Sequence, residues 1–441
     1  MFSHSFFPST KLLSATLVCV GLAWVSAAQT VQANQISITV SPTDAAIKKA
    51  SMSANASPKS ERVWSDLGDA YMQKARETAD ASYYTRAEAA YRKALAIDEK
   101  SVAALAGMAW VNGGRHEFEA SIDWAKKALA INPKLEAAYG LIGDAALEMG
   151  DYEGAFEQYQ KMLDSRPDLA SYGRSAHLLQ VTGDTRRASW LLAKAIASGG
   201  PFAENTAWCR SQLALVYFSQ GGYVPAQQVL DQGLKLAPND FHLLAVQGRV
   251  KAAVKDYDGA IASYKKASEI APQQDVVAAL GDLYMLTGKT DDAKKQYALV
   301  ESIARINEAN GVRGDMLTAR FYADHDIHLT EALAMAEKEY KTRKNVYAAD
   351  NLAWCYYKNG NIDEARKYIR LALKQNTPEA LFRFHKGMIY AKAGDRVVAQ
   401  QALYEAMSIN PQFDPMFAPV AMKTMEQLGS AAPGDVAMAA K

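Results

Sequence analysis

Three stretches of this chain gather residue types that could do chemistry. Asp324-His325-Asp326-x-His328 offers the carboxylate oxygens and imidazole nitrogens that bind divalent metals. It raises an enzymatic reading, a metal- or ligand-dependent hydrolase centred on residues 322–328. His116-Glu117 begins like the zinc-binding helix string of metalloproteases, but Ala120 stands where the second histidine must be. Gly173-x-Ser175-x-His177 is half of a nucleophile elbow, without the second glycine and inside a helical pattern instead of at a strand-to-helix turn. No phosphate-binding glycine loop or dinucleotide fingerprint accompanies them. Basic doublets recur at Lys126-Lys127, Arg186-Arg187, Lys265-Lys266 and Lys294-Lys295, but acids are interspersed, which describes a solvated face before a polyanion stripe. The 49 basic and 48 acidic residues leave no field of one sign to attract nucleic acid or an anionic membrane.

The elements that would carry these residues are short paired helices. In Leu135–Pro167 one helix places Tyr139, Ile142, Gly143 and Ala146 on one stripe. A turn at Gly150-Asp151 follows, and a second helix carries Ala155, Tyr159, Met162 and Leu163 up to Pro167. Proline ends it, having no N–H to donate and a ring that clashes with the preceding turn. Such a unit cannot bury its apolar face alone and requires neighbours. They are present. Trp64-x2-Leu67-Gly68-x2-Tyr71 opens the first, with about seven extra residues near Thr78–Tyr84 predicting a longer turn. Leu280-Gly281-x2-Tyr284 opens the seventh, and turns at Gly288 and Gly360 leave room for one degenerate eighth repeat over Met316–Tyr340. Ten repeats are counted in all.

The pattern resembles the tetratricopeptide repeat (TPR) family. Beyond the generic repeat, residues 75–97, 204–221, 322–326 (YADHD) and 380–395 (ALFRFHKGMIYAKAGD) resemble a group of uncharacterised exported bacterial TPR proteins. The resemblance implies an all-α, right-handed superhelical solenoid whose first helices line the concave wall. It carries no activity and no catalytic residues. The expected function is therefore a non-enzymatic scaffold for a protein or peptide partner, with no cofactor, no metal and no nucleic acid. Stacking of solenoids end to end into an oligomer is a further structural reading.

Helical periodicity places Asp350, Trp354, Tyr357, Phe384 and Met388 on the concave face of the last repeats, with Phe218 and Met285 higher up. An apolar groove of this kind suits an extended or helical peptide, and the same aromatics could instead fill a tightly wound spiral. Asp69, Asp144, His177, Arg249 and Asp282 fall on the same face. The Lys, Asn and Arg set with which some TPR proteins grip a terminal carboxylate is replaced here by Asp, Leu, Met and Trp.

The ends differ from the array. Lys11, the apolar run Leu12–Val25 and Ser26-Ala27-Ala28 describe a signal peptide over 1–28, predicting export to the periplasm or beyond and no membrane insertion after cleavage. An uncleaved membrane anchor is the alternative. Residues 29–59 read as a flexible linker, 60–412 as the solenoid, 413–428 as a capping helix and 429–441 as a disordered tail. Cys209 and Cys355 lie four repeats apart, too far for a disulfide, and are expected as buried free thiols.

Overall fold

The computed structural model describes residues 41–200 and 202–429, so the expected signal peptide, the first part of the linker and the tail beyond Gly429 lie outside the described residues. Within them stand 22 helices and no strand. After α1 (Pro42–Ala56) come the hairpins α2/α3 (Glu61–Thr78, Ser82–Ile97), α4/α5 (Val102–Gly114, Phe118–Ile131) and α6/α7 (Glu136–Met149, Tyr152–Ser165). Next are α8/α9 (Leu169–Val181, Thr185–Ser198), α10/α11 (Ala203–Ser219, Tyr223–Leu236) and α12/α13 (Phe241–Ala253, Tyr257–Ile270). The series ends with α14/α15 (Gln274–Leu286, Thr290–Ala309), α16/α17 (Asp315–Asp324, Leu329–Tyr340), α18/α19 (Val346–Lys358, Ile362–Ala372) and α20/α21 (Ala380–Lys392, Arg396–Ile409), then α22 (Phe417–Gln427). The degenerate eighth repeat is the hairpin α16/α17.

Two expectations need correction. Part of the predicted linker is helix α1. Ser41 caps it by accepting from the Asp44 N–H, and Pro42 takes the first turn, where a missing N–H costs nothing. Thr43 near its start bonds Glu77 near the end of α2, and Ala54 near its end meets Leu67, so α1 lies antiparallel across the open face of the first repeat. The extra residues of that repeat do not make a long turn either. They lengthen the helices, leaving only Ala79–Ala81 between α2 and α3.

In repeats 1, 3, 6 and 7 the two helices meet where an aromatic ring lies on a glycine. A Cβ built on Gly68 would fall 2.4 Å from the Tyr91 ring, one on Gly143 2.4 Å from Tyr159, and one on Gly281 2.5 Å from Tyr297. In all three the next residue is aspartate and accepts the tyrosine hydroxyl: Asp69 at 2.6 Å, Asp144 and Asp282 at 2.8 Å. Burial first, and then the facing carboxylate, push these phenols far up, which keeps them protonated donors. The hairpin turns repeat a second device. Gly150, Gly183 and Gly394 adopt positive φ after the first helix, and Asp151, Asp184 and Asp395 cap the second by accepting an N–H three residues on.

The hairpins coil until the chain meets itself. Glu148 accepts from Arg343 Nε at 2.6 Å and from Asn345 Nδ2 at 2.8 Å, and the Tyr152 hydroxyl accepts from the Val346 N–H at 2.9 Å. Thr377 donates to the Val181 carbonyl at 2.6 Å, and Asn410 donates to the Phe218 carbonyl at 2.8 Å. His116 meets the Arg313 carbonyl. These partners lie 192 to 197 residues apart, the hairpin turn of one repeat against the loop that precedes the sixth repeat after it or, for Asn410, the closing helix α22. Successive turns of the spiral therefore touch along this seam. In the middle of this seam the contact is also apolar, with Leu147, Leu178 and Val181 in one buried cluster with Val346, Ala349 and Phe382.

The glycine crossings are testable. Gly107 and Gly113 share α4, but a Cβ on Gly107 would stand 2.2 Å from Tyr91 while one on Gly113 finds only ordinary contact with Ser121. Gly107→Ala should lower stability in urea by about 1–3 kcal/mol through overpacking. Gly113→Ala should leave it unchanged or raise it by up to about 1 kcal/mol through helix propensity.

Candidate functional site

The first helices of the hairpins face the axis and enclose two chambers. The larger, about 1140 Å³, lies in the first turn and is lined mainly from α2, α4, α6, α8 and α10, with contributions from α3, α5, α7, α9 and α12. Trp110, Trp208, Tyr84 and Phe118 supply its apolar walls. Its charges are paired: Arg174 with Asp144 at 2.9 Å, Arg76 with Glu204 at 2.9 Å, and Glu148 with Arg343 across the seam. His177 of α8 also lines the chamber, and its Nδ1 is buried without a hydrogen-bond partner. Burial holds that imidazole below its usual pKa, so it stands neutral. The second chamber, about 330 Å³, lies one turn on, bounded by Phe218, Arg249, Asp282, Arg320 and Asp324 and by the Phe413–Pro415 segment.

The residues expected to line a peptide groove are distributed otherwise. Asp350, Trp354 and Phe384 are fully buried, and Tyr357 and Met388 are half-buried around them. Trp354 stacks on Tyr357 at 4.8 Å and on His385 at 4.2 Å, and Phe384 packs against Phe413 and Phe417 at 5.7 and 5.3 Å. The C-terminal groove is thus core, filled by the segment that leads into α22 and by α22 itself. The physical reason is the one that makes caps necessary: the last repeat would otherwise leave its apolar face in water. Phe218 is buried at the wall of the second chamber, and Met285, 42 % exposed, lines neither chamber. Periodicity identifies a stripe along a helix; it carries no signal for what covers that stripe.

The catalytic-looking fragments are likewise structural. His325 Nε2 lies 2.8 Å from Asp282 Oδ1 and its Nδ1 lies 2.7 Å from the Phe321 carbonyl. Both ring nitrogens face acceptors, so both carry protons and neither has a lone pair for a metal. Burial works against that imidazolium, but the Asp282 carboxylate and the Phe321 carbonyl outweigh it and raise the pKa. Asp324 accepts from Arg320 and from Trp354 Nε1, each at 2.8 Å, and Asp326 pairs with Lys358 at 2.7 Å. Among the described residues no three metal-binding side chains converge. Ser175 and His177, two apart on α8, point in different directions.

A network missed in the sequence runs through the core of the last repeats. His385 Nδ1 meets Asp350 Oδ1 at 2.8 Å, and Arg320 reaches Asp350 Oδ2 at 3.2 Å and Asp324 Oδ2 at 2.8 Å. Burial pulls the His385 pKa down, against the pull of Asp350. Cys355 lies nearby, its thiol pushed up to about 12 by burial, as is that of Cys209. Neither is a nucleophile at neutral pH. Both cysteines are free and buried, as expected from their spacing.

The hairpins α6/α7, α12/α13 and α18/α19 coincide with three matches to tetratricopeptide repeat family models, over residues 136–169, 242–274 and 346–377. These three hairpins are TPRs. The solved structures that resemble this chain include the Cut9–Hcn1 hetero-tetramer of the APC/C, 15% identical with a TM-score of 0.44, covering 86% of this chain and 81% of that one. Yeast Tom70 is 16% identical with a TM-score of 0.36 and coverages of 88% and 92%. PilF of Pseudomonas aeruginosa is 18% identical with a TM-score of 0.35, covering 51% of this chain and 92% of its own. No curated protein matches the sequence.

Two outcomes follow from the site. Trp354→Ala should destabilise the fold by roughly 3–5 kcal/mol in urea unfolding, as removal of a large core side chain does, instead of sparing it. For His325 the folded pKa is raised above 6.5, so its contribution is fully present below that value and is lost as pH rises through the folded pKa. The stability gap between wild type and His325→Gln should accordingly be larger at about pH 5.5 than at roughly pH 9.

Proposed function

We propose that this TPR solenoid is a protein-interaction scaffold that holds a segment of its partner inside the first-turn chamber. The observation that carries the reading is the chamber itself. Its volume of about 1140 Å³ slightly exceeds the roughly 300–1,000 Å³ of small-molecule pockets. Its wall combines indole and phenyl faces with hydrogen-bonding groups that are satisfied only in part. Trp110 and Trp208 suit bulky apolar side chains of a guest, and the Arg174–Asp144 and Arg76–Glu204 pairs on the wall suit the donors and acceptors of its backbone. The paired charges give the wall no dominant sign, so the guest is a mixed, near-neutral segment. The C-terminal aromatics have no part in this binding, being occupied by the chain's own Phe413 and Phe417. The apolar run behind Lys11 supports a place of work outside the cytoplasm.

Photo-crosslinking in the native host tests the reading. A photoreactive residue replacing Trp208 or His177 inside the chamber should link to one contiguous segment of a single protein. The same residue at Trp190, 58 % exposed on the outer helix α9, should not. Crosslinks only from Trp190, or none from the chamber, would dismiss it.

A further inference from the structure

The Phe413–Pro415 segment narrows the second chamber to about 330 Å³, at the lower end of the roughly 300–1,000 Å³ that small-molecule sites span. Its polar wall divides into groups that have partners and groups that do not. Arg320 pairs with Asp324 and Asp350, and Asp282 accepts from Tyr297 and from His325. Those charges are answered within the protein. Arg249, Asp275 and Asp414 remain.

Arg249 projects from α12 with its guanidinium 4.8 Å from the centre of the Phe218 ring. Among the described residues it makes no hydrogen bond and no ion pair, and it lines the chamber. Asp275, near the start of α14, and Glu379, outside the chamber wall, feel its charge, yet neither comes within ion-pair distance of it. Asp275 has no side-chain partner of any kind. Asp414 caps α22 by accepting the Met416 and Phe417 N–H groups at 2.8 and 2.9 Å, both on Oδ1, which leaves Oδ2 free. Burial, reinforced by the Asp282 and Asp324 charges, pushes that carboxyl up to about 6, so a cation placed beside it is favoured. The Tyr264 phenol feels Arg249, Asp275 and Asp414 together, which sets all three around one space. Phe321, Phe413 and Leu283 supply apolar wall beside them.

We propose that the second chamber binds a free apolar α-amino acid as its zwitterion. The ligand carboxylate pairs with Arg249, its ammonium with Asp414 Oδ2 and Asp275, and its side chain lies among Tyr264, Phe321 and Phe413. A planar guanidinium can take a carboxylate through two parallel N–H···O bonds, a geometry that fits a ligand end group. Ligands with a single charge are disfavoured. A plain amine leaves Arg249 without an anion, and a plain carboxylate leaves Asp275 and Asp414 without a cation. The bound amino acid joins repeat 6, repeat 7 and the segment before α22. The inference is independent of any guest in the first-turn chamber.

Calorimetry on the full chain tests this with L-phenylalanine and L-leucine, and with phenethylamine and hydrocinnamate as analogues that each lack one charge. At least one of the amino acids should bind at a single site and raise the melting temperature. Each single-charge analogue should bind at least about tenfold more weakly, as the loss of a charge-assisted hydrogen bond requires. Arg249→Gln and Asp414→Asn should each weaken amino-acid binding on the order of tenfold to a hundredfold. Their helical circular dichroism should match wild type, because Arg249 has no hydrogen-bonded partner to lose and asparagine caps a helix about as well as aspartate. If Asp414→Asn loosens α22, Asp275→Asn at an exposed position carries the same expectation. No binding of either amino acid at millimolar concentration would overturn the proposal. So would equal binding of an analogue, or an amino-acid affinity indifferent to the Arg249 and Asp275 substitutions.

Discussion

A tyrosine ring laid flat on a glycine is the contact from which the rest of the structure follows. It sets how near two helices of a repeat can come, because the ring occupies the space where a Cβ would be. The hydroxyl then finds the aspartate beside that same glycine, so a buried phenol is satisfied without water. Each repeat passes its small rotation to the next. After six of them the hairpin turn at Glu148 arrives against Arg343, and a slight error per repeat, multiplied six times, would part the two. Local packing and long-range closure are in this sense one constraint.

The local half of that constraint is legible in the chain. Glycine, alanine and large residues alternate at helical spacing, Gly-Asp marks several of the hairpin turns, and the distance between strong turns reveals the weak repeat α16/α17. What is not legible has a common cause. The seam joins residues 192 to 197 apart, and no periodicity within a repeat records it. Asp350, Trp354 and Phe384 are readable as a stripe along their helices, but whether that stripe meets a guest or the chain's own Phe413 depends on that winding. Helix α1 is a different case. Ser41-Pro42 and Asp44 are start signals present in the sequence, hidden among polar residues because only Thr43 and Ala54 of the helix are buried.

The histidines show why catalytic-looking composition arises in a core of this kind. Arg320 is largely shielded from water and is neutralised by Asp324 and Asp350 together; the second oxygen of Asp350 in turn meets Nδ1 of His385. His325 does the same between Asp282 of repeat 7 and its own helix, tying the degenerate repeat to its stronger neighbour. Acids, histidines and an arginine at hydrogen-bond distance would pass for a reaction centre. Buried among aromatic rings beside a thiol of high pKa, they serve as fixed connections between repeats.

The two chambers share an origin and differ in fate for reasons of surface chemistry. The second meets the C-terminal end, where exposed aromatic faces demanded cover, and the Phe413–Pro415 segment supplies it from within the chain. The first is lined by aromatic faces interrupted with ion pairs that water can solvate, so it tolerates remaining open. A wall that neither collapses nor recruits its own chain is one that can still discriminate among partners, because a guest must match both its apolar faces and its fixed polar groups to displace that water at no loss. Packing thereby assigns cohesion to the second turn of the spiral and leaves the first with the larger unfilled chamber.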